Sequence, residues 1–136
     1  MKSSFEFEFD LKTLIISSFF FTLIDAVYLY STKKYFNKVI KSIQGKEITL
    51  KYSGIVLCYF SLILGLNYFI LSNKNLKNDQ KIKNAFILGF VIYAVFESTT
   101  YAIFDNWTTT AVIMDSIWGG ILFSLTTFVS LKFLKN

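Results

Sequence analysis

The chain has 136 residues, of which 54% are hydrophobic and 17% charged, with a formal charge of +5. It contains no His, no Pro and no Arg, and one Cys, Cys58. This excludes a His-based zinc or di-iron site, a Ser-His-Asp triad, a Cys-His pair and an intramolecular disulfide. Every basic residue is Lys, which disfavours planar recognition of phosphate or bases, so no nucleic-acid partner is expected.

Four Lys-free stretches run through the sequence: Thr13–Thr32, Tyr52–Ser72, Ala85–Phe104 and Thr110–Leu131. Each has the roughly 20 residues that a helix needs to cross a hydrocarbon core. The expected fold is an all-α integral membrane protein, a bundle of four transmembrane helices forming a single domain over residues 1–136. The first stretch is expected to be retained as a span. Glu6, Glu8 and Asp10 precede it, Asp25 interrupts it, and Lys33 and Lys34 end it without a small-residue cleavage site, which does not fit a signal peptide.

After the first span, Tyr35, Phe36, Val39, Ile40 and Ile43 recur at helical spacing, with Lys33, Lys34, Lys38 and Lys41 between them. This predicts an amphipathic helix in the membrane interface between the first and second spans, either binding anionic lipid or serving as a solvated connector. The second span leads into the polar loop Asn73–Asn84. Asp105–Thr109 is short enough to make the third and fourth spans an antiparallel hairpin. Four spans put both termini on one side. Eight Lys lie there against six on the other, which leans toward cytoplasmic termini. The sequon Asn106-Trp107-Thr108 falls on the far side, too near the bilayer for a glycan to be expected.

Three carboxylates lie inside the spans: Asp25, Glu97 and Asp115. Counting from the span ends at 1.5 Å per residue places all three about 8–11 Å below one membrane face, level with Tyr59 of the second span. Intramembrane acids are costly, and mark an ion or ligand site unless they hold helices together. No Lys shares their layer, so a proton or a bound cation must balance part of the charge. Thr100 is a nearby hydroxyl. Aromatics stand three or four residues from each acid on its own helix: Tyr28 from Asp25, Tyr93 and Tyr101 from Glu97, Trp118 from Asp115. Such a ring of aromatics around acids resembles a box for an organic cation. Gly119 and Gly120 permit close helix approach, as can Gly65 and Gly89, and Asn67 is expected to bond a neighbouring helix.

The same residues carry a family resemblance. Asp25-Ala-Val-Tyr-Leu29 resembles the Asp-x-x-(Trp/Tyr)-Leu element of an uncharacterised membrane-protein family, domain of unknown function 2177. Tyr93-Ala-Val-Phe-Glu97-Ser-Thr-Thr100 is similar to its Tyr-Ala-Thr-Tyr-Asp-Leu-Thr-Asn element, with Glu97 for Asp and Thr100 for Asn. Trp107 is placed like its Trp after the third helix, and Asp115-Ser-Ile-Trp118-Gly119 resembles its Asp-x-x-Trp-Gly element. The likeness runs from about Leu11 to Leu134 and implies a small four-helix membrane protein. It supplies no activity.

Three functions compete at this point. The first is binding or transport of a proton, cation or small cationic molecule through the acid layer, with a homo-oligomer expected if four helices are to transport. The second is a membrane enzyme acting on lipid, disfavoured because no His and no Gly-rich phosphate loop is present. The third is a structural or assembly subunit whose acids join helices. No cofactor or metal is expected, and the lipid bilayer is the one partner implied directly. The preference for Lys, Asn, Ile and Phe over Arg is that of an AT-rich genome, such as a large DNA virus or an AT-rich microbe.

Overall fold

In the computed structural model, which describes residues 9–135, the chain forms four long helices: α1 (Leu11–Gln44), α2 (Tyr52–Leu66), α3 (Asn78–Ile103) and α4 (Thr109–Leu134). All four, with α2 counted through its π-helical extension to Leu71, are long and apolar enough to cross a membrane. Glu6 and Glu8 lie outside the described residues.

Local signals set the helix ends. Asp10 caps α1, its carboxylate accepting from the Lys12 N–H and the Thr13 hydroxyl. Gly45 ends α1 in the left-handed region at φ 75°, where a residue without a side chain is at no disadvantage. Gln80 reaches back to the Lys77 N–H at the start of α3. The Thr108 hydroxyl accepts from the Ala111 N–H at the start of α4.

The amphipathic stretch after Thr32 is helical as expected, but it is not an element of its own. Its residues continue α1, which runs without a break for 34 residues, about 51 Å, well beyond the roughly 30 Å of a hydrocarbon core. Its apolar face is covered by protein: Val39 is buried with Trp107 and Ala111, and Tyr35, Phe36, Ile40, Ile43 and Val112 pack around them. Tyr35 bonds the Thr108 hydroxyl, and the Asn106 amide donates to the Ser42 carbonyl at 3.0 Å. The amphipathic pattern therefore records a partner inside the chain, the turn between α3 and α4. At the end of this extension the exposed Lys41 pairs with Glu47 at 3.1 Å, a surface ion pair contributing at most about 1 kcal/mol.

Cross-helix pairs fix the topology. Tyr35 meets Thr108, Tyr28 meets Asp115, and Phe21 stacks edge-on against Phe123 at 5.5 Å, so α1 and α4 are antiparallel. Asp25 meets Tyr59 and Ser17 meets Asn67, so α1 and α2 are antiparallel as well. The ends of α1 and α4 nearest the termini thus share one side of the bundle. With Cys58 replaced, cysteines introduced at Lys77 and Gln44 should react with an impermeant thiol reagent from opposite sides of a sealed vesicle; labelling from one side would contradict the topology.

The core lies at mid-bundle, where Phe21, Leu66, Leu122 and Phe123 are fully buried. Beside it α3 and α4 touch backbone to backbone. A Cβ added at Gly89 would collide with the Gly119 carbonyl and the Phe123 ring, and one at Gly119 with the Tyr93 ring and the Gly89 carbonyl. Gly120 lies against the Phe86 ring. Gly65 departs from expectation: open space surrounds it, and it brings no helices together.

The second span changes character at Asn67. The Asn67 side-chain amide donates to the Ile63 carbonyl at 2.9 Å and to the Ser17 hydroxyl at 3.0 Å, inserting a side chain into the helical ladder. From there the helix widens to a π-helical turn over Asn67–Leu71, closed by the Ser72 N–H on the Asn67 carbonyl at 2.8 Å.

Candidate intramembrane acid site

Asp25 and Glu97 are buried, and Asp115 is half-buried. The helix periodicity that hides these acids also brings partners in, and those of Asp25 and Asp115 come from other helices. Asp25 on α1 accepts from the Tyr59 hydroxyl on α2 and from Trp118 Nε1 on α4 at 2.9 Å. Asp115 on α4 accepts from the Tyr28 hydroxyl on α1. Tyr28 and Trp118 are exchanged between the two helices, each serving the other helix's acid. Their rings stack with centroids 4.3 Å apart and planes within 3° of parallel.

Glu97 has a partner that the sequence reading left out of the site. Trp107, folded back from the α3–α4 turn, donates from Nε1 to Glu97 Oε1 at 2.8 Å. The signal was present in the sequence as an indole just past the end of the third span. The other oxygen, Glu97 Oε2, is buried and has no hydrogen-bond donor. The Asp115 carboxyl lines the same cavity as Glu97. Two carboxylates on one cavity wall repel, so the arrangement is favourable only if a proton or a cation accompanies them.

The acid layer thus draws on all four helices, with α1, α2 and α4 joined by hydrogen bonds. Tyr59 and Trp118 lead to Asp25, across the ring stack Tyr28 leads to Asp115, and Asp115 shares a cavity with Glu97 and its donor Trp107. Every donor in it is neutral, and among the described residues no Lys forms an ion pair with an acid of the layer. The three acids do not converge on a single point that could hold a metal ion.

Two cavities flank the layer. One of about 690 Å³ has Glu97, Asp115, Trp107 and Tyr28 among its walls, together with apolar side chains such as Leu29, Phe36 and Phe96, and Lys33. The other, about 400 Å³, is bounded by Asp25, Cys58, Tyr59, Tyr93 and Trp118. Tyr93 borders the site from this second cavity, held against Gly119. Thr100 and Tyr101 are not brought to it. The Thr100 hydroxyl bonds back to the Phe96 carbonyl of its own helix at 2.7 Å, and Tyr101 is 48% exposed, its expected place beside Glu97 being taken by Trp107. Nor do the aromatics form an open box: Tyr28 and Trp118 turn a face to each other and meet the acids through O–H and N–H.

Removing the Trp107 donor should loosen this end. Trp107→Phe is expected to cost about 1–2 kcal/mol, the value of one buried hydrogen bond in a membrane bundle plus some lost packing. Thermal unfolding in detergent measures it, and Trp107→Phe should lower the midpoint more than Tyr101→Phe.

Among known families, the one described as predicted membrane protein (DUF2177) matches residues 11–132, and the chain belongs to it. No curated protein and no solved structure gives a significant match.

Proposed function

We propose that this membrane protein binds one positive charge at the Glu97–Asp115 pair, exchanging a shared proton for a small organic cation that enters from the 690 Å³ cavity. The observation that carries this reading is Glu97 Oε2, buried and without a donor, on a residue that shares its cavity wall with the Asp115 carboxyl. Neutral donors orient the two acids but cannot cancel their charge, so one positive charge has to accompany them. A proton is the smallest such charge, and an ammonium group with an apolar body suits the apolar walls. Such exchange is the elementary step of proton-coupled binding or transport. Transport itself would call for an oligomer of these four-helix units.

The test is calorimetric titration of the purified protein in lipid nanodiscs with benzylammonium, using benzyl alcohol as the uncharged control. Benzylammonium should bind, benzyl alcohol should not, and binding should release a proton into the buffer. Because proton and cation compete, affinity should rise with pH by up to about tenfold per unit while the proton is the occupant. Glu97→Gln keeps an acceptor for Trp107 but removes one charge, and should abolish both binding and proton release. Equal binding by Glu97→Gln, or binding without proton release, contradicts the reading.

A structural role has its own support, because acid-to-aromatic hydrogen bonds join α1 to α2 and to α4, and tie Glu97 on α3 to the α3–α4 turn. On that reading Glu97→Gln would alter stability alone.

A further inference from the structure

The half of the bundle nearest the termini holds a second polar feature, independent of the acid pair. A cavity of about 360 Å³ opens there, lined by Asp10, Thr13, Leu71, Ser72, Lys74 and Lys81. Ser72 is buried at its wall, and its hydroxyl has no partner. Continuing the register set by Tyr28–Asp115 and Phe21–Phe123 puts Ser130 level with Thr13, and Thr126 and Thr127 level with Ser17. Asn67 joins that second level through its bond to Ser17. Ser17, Asn67, Thr126, Thr127 and Ser130 are all fully buried.

Four oxygens in this region have no hydrogen-bond partner in the protein: Asn67 Oδ1, Ser72 Oγ, Thr126 Oγ1 and Ser130 Oγ. A dry interior penalises each such atom, and water is the usual remedy where a site is polar and roomy. The π-helical turn lies along the same stretch, and such turns recur at functional positions within helices. One helical turn toward mid-membrane the polar lining stops, at the fully buried Phe21, Leu66, Leu122 and Phe123. Asp25 follows one turn later, about 12 Å from Ser17 along α1.

We propose that this column is a water-filled half-channel. It opens at the face of the bundle nearest the termini, holds internal water between Ser72, Ser130, Thr126 and Asn67, and is closed from the acid layer by Phe21 and Phe123. It would bring water, and with it protons, to within one apolar layer of Asp25. The inference does not depend on cation binding at Glu97 and Asp115.

Silver-ion modification of single cysteines tests it, in the full chain reconstituted in vesicles with Cys58 replaced by Ser. Ser72→Cys, Ser130→Cys and Thr126→Cys exchange a small polar side chain for one of similar size. Leu122→Cys samples the dry layer. Reaction is read as protection from a fluorescent maleimide added after denaturation. A dry site reacts only through local opening, so the three column positions should react at least about tenfold faster than Leu122→Cys. Should Thr126→Cys disturb the fold, Thr127→Cys samples the same level. If Ser72→Cys reacts quickly while Ser130→Cys and both threonine positions match Leu122→Cys, the cavity ends at its mouth and the proposal is overturned.

Discussion

Gly119→Ala should be among the most damaging single-methyl changes in the protein, lowering stability by about 2–3 kcal/mol or more. The added carbon would fall on the Gly89 carbonyl and on the Tyr93 ring. A flexible side chain can move away from a methyl group, but a backbone carbonyl of a packed helix moves only with the helix. Relief would come from separating α3 and α4, which also carries Glu97 away from Asp115. Gly65→Ala is the matched control. No atom lies within 4 Å of a Cβ there, so the ordinary helical preference for Ala should stabilise it by about 0.5–1 kcal/mol. Thermal unfolding of both variants in one detergent measures the contrast, and equal midpoints would contradict the packing.

Asp25→Ala should cost about 1–3 kcal/mol, because it leaves the Tyr59 hydroxyl and the Trp118 indole N–H without their acceptor. Asp25→Asn keeps one acceptor oxygen and should recover about half of that loss. The double variant Asp25→Ala with Tyr59→Phe removes donor and acceptor together, and should be less destabilised than the sum of the two single changes. Additive losses would show that the bond from Tyr59 contributes nothing. The three variants can be compared by chemical unfolding in mixed micelles.

The span count and the shared level of Asp25 and Tyr59 were legible in the sequence, because both follow from where charge is absent and from the constant rise of a helix. Asp25 and Tyr59 meet at the level that counting residues from the span ends gives. Partner choice was not legible. Spacing along one helix suggested that Tyr28 serves Asp25 and that Trp118 serves Asp115, whereas rotation of α1 against α4 exchanges them. Helical periodicity says which face a residue shares but not which neighbour that face meets. The same limit explains the amphipathic stretch after Thr32. Its apolar face was visible, but whether lipid or protein covers it depended on where Trp107 and Ala111 lie in space. Trp107 escaped the site for a related reason: a loop residue has no periodicity from which to infer its direction. The break at Asn67 was hidden as well, since an Asn in an apolar run signals a hydrogen bond but not a change to π geometry.

On the proposed reading, the site shared by Glu97 and Asp115 carries one exchangeable positive charge. Infrared difference spectroscopy in the protonated-carboxyl region tests it most directly, on wild-type protein in nanodiscs at neutral pH, with and without benzylammonium, and on Glu97→Gln. The wild type should show a protonated-carboxyl band that shifts on exchange into deuterated water, is lost when benzylammonium binds, and is absent from Glu97→Gln. A wild-type spectrum without that band and without a bound cation, or a band that persists unchanged in Glu97→Gln, would contradict that reading.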